Sequence, residues 1–272
     1  NFYASTLARG NTNIIALVLE EDSNVKFRGS YSDLIVACLR TAARYGRHLL
    51  VYSGIDKDSV ITMLKRDKAP IDGAIVMTPL TEDARISQLE QQRIPCVIIG
   101  RPADGVNISY VDVNNVQLVK EAARRLYLQG VRKFCLVNSE ETKTISADRA
   151  EGFREAFEDL SGVRTEVVYT ADSTEEEGRR AAAAFLEVGM AFIASDGTVA
   201  RGIYKAAEAA GLDPLRDIII YSLGEDNAGI GIPWKFARQD YRKLGEIATE
   251  ILIGEINGDT ELKQICTDCF VI

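Results

Sequence analysis

One arginine of this 272-residue chain stands where it could hold the oxygen atoms of a small ligand. Arg149 lies near the start of a helix predicted over residues 148–160, directly after a loop. A guanidinium offers several hydrogen-bond donors and the start of a helix carries positive potential, so together they favour an oxygen-rich ligand. The structural alternative is an ion pair with Asp148 or Glu151. The ligand-binding role is the favoured interpretation.

A serine and an aspartate follow the strand predicted over residues 191–194. Ser195 and Asp196 therefore stand at the carboxyl end of that strand, where open parallel sheets bind ligands. A carboxylate at this place can accept hydrogen bonds from hydroxyl groups, and we expect at least one of the pair to face a ligand. The alternative is that Asp196 caps the helix that begins near Thr198, and both interpretations stay open.

Two aromatic residues and a second arginine are further ligand-binding candidates. Phe27 follows the first predicted strand and Tyr241 stands near the start of a late helix. Aromatic faces suit the apolar side of a sugar or a base. Arg101 follows the strand predicted over residues 96–99. The alternatives are ordinary core packing for both aromatics and an ion pair with Asp104 for Arg101.

The sequence patterns of common enzyme and metal sites are absent. The chain contains no GxSxG, no P-loop and no GxGxxG after a strand. Its one histidine, His48, begins a predicted strand and is expected to be structural. Cys266 and Cys269 have CxxC spacing, but the sequence contains no second such pair. We therefore expect a protein that is not an enzyme and that uses no cofactor and no metal ion.

Composition narrows the possible partners and the compartment. The net charge is −8, from 32 basic and 40 acidic residues, which argues against a general nucleic-acid-binding surface because such surfaces are basic. No apolar run reaches membrane-spanning length and no amino-terminal signal pattern is present. The five cysteines are scattered and odd in number, which favours a reducing cytoplasm over a disulfide framework.

Short apolar strands alternate with amphipathic helices along nearly the whole chain. This alternation predicts α/β architecture with doubly wound parallel sheets and right-handed crossovers. The pattern restarts after Asn114, which predicts two similar subdomains with a ligand cleft between them. The predicted parts are a short segment 1–12, a first subdomain of residues 13–113 plus 239–263, and a second of residues 114–238 plus 264–272.

The first residues predict a short helix that ends before an apolar strand begins at Ile14. Its pattern is carried by Asn1, Ala4, Leu7 and Gly10. This pattern resembles the hinge helix of LacI/GalR-family transcription repressors. The resemblance implies that Ala4 and Leu7 contact the minor groove of DNA and that Leu7 wedges between base pairs, which kinks the duplex. The alternative is a frayed amino-terminal tail.

Further segments resemble the same family, in the same order, over nearly the whole chain. Their order and spacing carry the resemblance, since no single motif is specific. The segments are IPCVIIGRP at 94–102, an "N…A…L…G" pattern at 114–130, SADRAEGF at 146–153, SDGTVARG at 195–202 and QDYRKLG at 239–245.

The resemblance also bears on the candidate residues. It implies effector binding for Arg149, the arginine of an RxxGF motif, and for Ser195, which stands at a frequent ligand-contacting asparagine. Two positions depart from the family: Ser173 replaces a stacking aromatic, and Gly224 replaces an aspartate that binds ligand hydroxyls. Glu225 and Asp226, which follow Gly224, are candidates to substitute for that aspartate. These departures leave a sugar, a sugar phosphate and a nucleoside-like effector open.

The resemblance predicts the effector-binding and dimerisation core of a bacterial transcriptional repressor. Effector binding would close the cleft and alter operator affinity, through a helix-turn-helix that precedes Asn1. The expected partners are a small-molecule effector, operator DNA and a second copy of the chain, with no membrane. A periplasmic sugar-binding protein of a transporter is the alternative, because it shares the two-lobed fold. An enzyme on the same scaffold is a third hypothesis, which the missing catalytic motifs disfavour.

Overall fold

The computed structural model of the chain describes residues 11–19, 29–52, 71–224, 234–267 and 270–271. The chain forms two compact units. The first contains Asn1–Asp112 and Asp240–Thr267, and the second contains Val113–Gln239 and Asp268–Ile272. Within the described residues, each unit has a six-stranded sheet with helices along it. The predicted α/β class with two parallel-sheet subdomains is confirmed.

The elements follow one another in a nearly regular alternation of strand and helix. The described strands are β1 Ile14–Val18, β2 His48–Tyr52, β3 Gly73–Met77, β4 Cys96–Ile99, β5 Ser109–Val113, β6 Lys133–Asn138, β7 Arg164–Tyr169, β8 Met190–Ala194, β9 Ile219–Ser222, β10 Lys235–Arg238, β11 Gln264–Thr267 and β12 Phe270–Val271. The described helices are α1 Gly29–Arg44, α2 Ala84–Gln91, α3 Asn115–Leu128, α4 Thr144–Phe157, α5 Glu175–Ala183, α6 Gly197–Ala209 and α7 Tyr241–Ile256.

The first sheet has the strand order β11-β5-β4-β3-β1-β2, and β1 to β5 pair in parallel. Every residue of β3 and β4 is buried. Parallel strands covered on both faces are expected to be continuous apolar runs, and these two are. Ala16 of β1 and Leu89 of α2 join them in one core cluster. The sheet thereby aligns the carboxyl ends of β1, β3 and β4 along one edge.

The second sheet has the strand order β12-β10-β9-β8-β6-β7, with β12 antiparallel to β10 and the other pairs parallel. Side chains of β6 alternate between two core clusters, as the period of a strand requires. Phe134 packs with Phe153 and Phe157 of α4 in one cluster, whereas Cys135 packs with residues of α6 in the other. The carboxyl ends of β6, β7, β8 and β9 therefore share one edge.

Two glycines let neighbouring helices of the second unit approach closely. A Cβ atom at Gly152 in α4 would lie 2.1 Å from the backbone oxygen of Val116 in α3. A Cβ atom at Gly178 in α5 would lie 2.3 Å from the backbone oxygen of Val199 in α6. Side chains cannot occupy such short distances in a close-packed interior, so only glycine fits. The first contact fixes the position of α4, which carries Arg149.

The structure differs from the sequence prediction in several places. The sequence pattern does not predict β5 or β10, because both strands contain charged residues. Helix α4 begins at Thr144, earlier than the predicted start at residue 148. Residues 264–267, which the prediction assigns to the second subdomain, form β11 in the first sheet. There, the Thr267 hydroxyl donates to the backbone oxygen of Asp112 at 3.3 Å.

Candidate functional site

Buried polar side chains gather at the carboxyl edge of the second sheet. Asn138 ends β6, Thr170 follows β7, Ser195 follows β8 and Ser222 ends β9. All four are at most 4% exposed. Polar side chains are rarely this buried unless hydrogen bonds satisfy them. Since open parallel sheets bind ligands beyond the carboxyl ends of their strands, this edge is the candidate site of the second unit.

Asn138 connects the ends of β6 and β7 to the first turn of α4. Its Nδ2 donates to the backbone oxygen of Ser146 at 2.8 Å, and its Oδ1 accepts from the backbone nitrogen of Ser139 at 3.0 Å. Its backbone oxygen accepts from the nitrogen and the hydroxyl of Thr170 at 3.0 and 3.1 Å. The hydroxyls of Ser139 and Ser146 lie 2.8 Å apart. This network fixes the first turn of α4 against the ends of β6 and β7.

Arg149 lies in the second turn of α4 rather than at its start. The predicted support from the positive helix end is therefore wrong, because the helix already begins at Thr144. Arg149 is 6% exposed and is one of several buried polar residues of this helix. Glu151, weighed as an ion-pair partner of Arg149, instead accepts two hydrogen bonds from Arg154 at 2.7 and 3.0 Å. Both of those side chains are about half exposed.

Asp196 caps α6, which is the structural alternative to a role in ligand binding. One carboxylate oxygen, Oδ1, accepts from the backbone nitrogens of Thr198 at 2.7 Å and Val199 at 3.1 Å. The other, Oδ2, accepts from the hydroxyls of Ser173 and Ser195. Ser173, one of the two positions that the sequence marks as departures, is thus bonded to the carboxylate of Asp196. A ligand hydroxyl that binds Asp196 would compete with these serines.

Arg101, which follows β4 of the first sheet, lies close to Asp104, the ion-pair partner that is its structural alternative to ligand binding. Its Nη1 lies 3.5 Å from Oδ1 of Asp104, and the two side chains are 44% and 97% exposed. Such an exposed pair contributes about 0–1 kcal/mol, so it holds the guanidinium only weakly. The backbone nitrogen of Arg101 donates to Asp112 at 3.0 Å, which fixes the chain after β4.

A buried ion pair at the same edge was not expected from the sequence. Arg85 of α2 donates to Asp83 at 2.6 Å and to the backbone oxygens of Leu19 and Thr78 at 3.3 and 3.1 Å. Burial opposes ionisation of Asp83, but the hydrogen bonds and charge of Arg85 outweigh it and hold the pKa of Asp83 below its ordinary value. The pair ties the ends of β1 and β3 together. A carboxylate and an arginine two residues apart give no distinctive signal in a sequence.

Tyr241 begins α7 and is half-buried. Asp240, the residue before it, caps the helix. The Tyr241 ring meets the ring of Tyr31 edge-on, with centroids 6.5 Å apart. This geometry leaves a ligand contact of Tyr241 as a prediction. The remaining candidates lie outside the described residues: Phe27, Glu225, Ala4 and Leu7.

Other groups bear on what the described residues can do. No group of three or more histidine, cysteine or acidic side chains among them is arranged to hold a metal ion. Burial raises the pKa of Cys38 to about 11 and that of Cys135 to about 12, so both thiols stay protonated at neutral pH. None of the helices that the structure describes is long and apolar enough to cross a membrane.

Known proteins with the same architecture are similar to this chain. The family model of "periplasmic binding proteins and sugar binding domain of LacI family" matches residues 12–224. The transcriptional regulator AglR of Rhizobium meliloti is 25% identical, over 94% of this chain and 75% of its own length. The ribose operon repressor of Halalkalibacterium halodurans is 27% identical, over 94% of this chain and 78% of its own length.

Solved structures give the same result for the fold. The transcriptional regulator CelR in complex with cellobiose matches with a TM-score of 0.85 and 20% identity, over 99% of this chain and 88% of its own. A regulatory protein of the LacI family from Chloroflexus aggregans matches with a TM-score of 0.78 and 20% identity, over 96% of each chain. The curated relatives are regulators of transcription, which favours a regulator core over the periplasmic protein of a transporter.

Proposed function

The chain belongs to the family of periplasmic binding proteins and the sugar-binding domain of LacI-family regulators, and on that premise we propose that it binds a sugar effector at the carboxyl edge of the second sheet. The observation that carries the proposal is the buried polar cluster around Asn138 and Ser146. This network holds the first turn of α4 at the edge of the sheet, so that the hydroxyl, carboxylate and guanidinium groups beside it, which suit the hydroxyl groups of a sugar, keep fixed positions. Arg149 supplies the charged donor of the site.

Arg149 is the residue that we propose to contribute most to affinity. A hydrogen bond to a charged group contributes about 1.5–3 kcal/mol, more than a neutral one. Ser195 and Asp196 are proposed as further contacts of the same unit. Tyr241, Arg101, Phe27 and Glu225 stay predicted ligand contacts.

The proposed consequence of sugar binding is a change in the affinity for operator DNA. Such an effect is a coupling free energy between two sites and is reciprocal, so operator binding would change the sugar affinity by the same factor. We also propose a homodimer, because regulators that bind pseudo-palindromic sites have two-fold symmetry. The proposed compartment is the cytoplasm. Ala4 and Leu7 stay the predicted DNA contacts.

A thermal-shift screen followed by calorimetry tests the proposed site. Cellobiose, ribose and maltose are the first probes, with glucose 6-phosphate as the anionic one. A ligand that binds only the folded state at about 100 times its Kd adds about 2.7 kcal/mol of stability, which raises Tm. If glucose 6-phosphate is the only probe that raises Tm, the proposed effector becomes an anionic sugar derivative instead of a neutral sugar. If neither these probes nor a wider panel of sugars raises Tm, the sugar proposal is wrong.

The matched variants are Arg149→Met and Arg154→Met, on the same helix. Arg154 is 58% exposed and bonded to Glu151, so its loss should leave sugar affinity unchanged. Loss of Arg149 should weaken binding of the active probe at least about tenfold, since about 1.4 kcal/mol corresponds to that factor. Equal affinities of the two variants would remove Arg149 from the site.

A further inference from the structure

A buried ion pair lies at the amino-terminal edge of the first sheet, opposite the edge described above. Arg47 precedes β2 and Asp72 precedes β3, the two strands that flank β1. Nη1 of Arg47 lies 2.8 Å from Oδ2 of Asp72, and the two side chains are 6% and 8% exposed. The pair thus joins the residues before β2 and β3 and lies beside the start of β1.

The Asp72 carboxylate is bonded mainly to the residues that enter β1. Its Oδ1 accepts from the backbone nitrogen and the hydroxyl of Thr12, both at 2.8 Å. Its Oδ2 accepts from the backbone nitrogen of Asn13 at 2.8 Å, in addition to Arg47. Four donors therefore converge on one carboxylate, which has about four acceptor positions. The backbone of Asn13 is left-handed, with φ of 59°.

These contacts hold the residues that lead into β1, in addition to the pairing of the strands themselves. The sheet already places β1 between β2 and β3 through its own parallel pairing. A buried ion pair adds little net stability, because desolvation of both charges offsets their attraction. What the pair does supply is geometry: it fixes the positions of Thr12 and Asn13, the residues that lead into β1.

We infer that Arg47 and Asp72 are positioning residues that couple the effector-binding core to the chain amino-terminal of Thr12. The inference rests on the proposed function, in which sugar binding changes operator affinity. The physical basis for coupling between two sites is an element whose arrangement both sites bias. A loosely held segment would absorb a change in the core as disorder. The anchor at Thr12 and Asn13 prevents that loss.

The test compares variants of the protein, expressed from its complete gene, in three measurements. Asp72→Asn removes the charge and keeps the shape. Thr12→Val keeps the ion pair and removes the two hydrogen bonds of the Thr12 hydroxyl, one donated to Asp72 and one accepted from the backbone nitrogen of Ile14. Glu250→Gln is the control, because Glu250 is 49% exposed and lies 3.9 Å from Arg44 in the same unit. Each protein is measured for Tm, for the Kd of the sugar that shifts Tm in the screen, and for binding to its own promoter DNA with and without that sugar.

We expect the effect of sugar on DNA binding to fall while sugar binding itself is retained. In coupled proteins that effect is about 5–150-fold, and Asp72→Asn should reduce it to about twofold or less. Thr12→Val should give an intermediate reduction with a Tm close to that of the parent protein, which keeps the test decisive if Asp72→Asn fails to fold. The control should match the parent in all three measurements.

Two outcomes would overturn the inference, and they are distinguishable. If sugar changes the DNA affinity of the parent and of Asp72→Asn or Thr12→Val by the same factor, the anchor does not couple the two sites. If sugar binds the parent protein but does not change its DNA affinity, the proposed regulatory function is wrong, and the inference that rests on it is wrong too.

Discussion

Replacement of Gly152 by alanine tests whether the close contact between α3 and α4 sets the position of the ligand-binding helix. Helix propensity alone would make alanine more stable by about 1 kcal/mol. The added Cβ atom, however, would lie 2.1 Å from the backbone oxygen of Val116, which no change of rotamer can move. The helices would have to separate by about 1 Å, and overpacking of this kind costs about 1–3 kcal/mol. Because the obstacle is backbone, we take the upper value and expect a net loss of about 2 kcal/mol.

Urea unfolding measures this loss in the unit that contains the change. The chain has one tryptophan, Trp234, which packs against Tyr204 of α6 in the second unit. Its fluorescence therefore follows the unfolding of that unit. Ala147→Gly, at an exposed position of the same helix, is the control and should cost about 1 kcal/mol through propensity alone. A Gly152→Ala protein at least as stable as the parent would refute the argument from close contact.

Two further predictions concern a carboxyl group and the assembly. Burial, with a contribution from Asp259, raises the pKa of the half-buried Glu255 above its ordinary value. Because the pKa is higher in the folded state, the carboxyl contributes its full stability below the unfolded pKa and loses it as the pH rises through the folded pKa. Glu255→Gln should therefore raise Tm at about pH 7 and leave it unchanged near about pH 3. Calorimetric melting at both pH values measures this. A Glu255→Gln protein whose Tm exceeds that of the parent at neither pH value would contradict the prediction. Sedimentation velocity at micromolar concentration should show a dimer, and a monomer would count against the regulator model.

The sequence predicts most strands well and misses β5 and β10, for a physical reason. Parallel strands buried on both faces must be apolar throughout, so β4 has the bounds that its apolar run predicts. β5 and β10 each lie next to the outermost strand of their sheets. β5 contains Asp112, and β10 begins and ends with exposed charged residues, Lys235 and Arg238, so neither is a continuous apolar run.

The candidate site was predictable in its location but not in its hydrogen bonds. Alternation of strands and helices indicates which residues end up at a carboxyl edge, and this placed Ser195 and Asp196 correctly after β8. The start of α4 was missed because Lys143 provides no side-chain cap, so the sequence offers no start signal there. Without the correct start, the bond from Asn138 to Ser146 could not be foreseen, since it depends on the first turn of that helix.

The double use of Asp196 constrains how the proposed site can gain affinity. Its Oδ1 is committed to the cap of α6, and its Oδ2 already accepts from Ser173. A ligand hydroxyl that reaches Oδ2 would exchange one neutral donor for another, and the net gain of such an exchange lies below the about 0.5–1.5 kcal/mol of a new hydrogen bond. The free energy of binding must then come mainly from other groups. Arg149, buried and charged on a helix that Gly152 and Asn138 hold in place, is the group best suited to provide it.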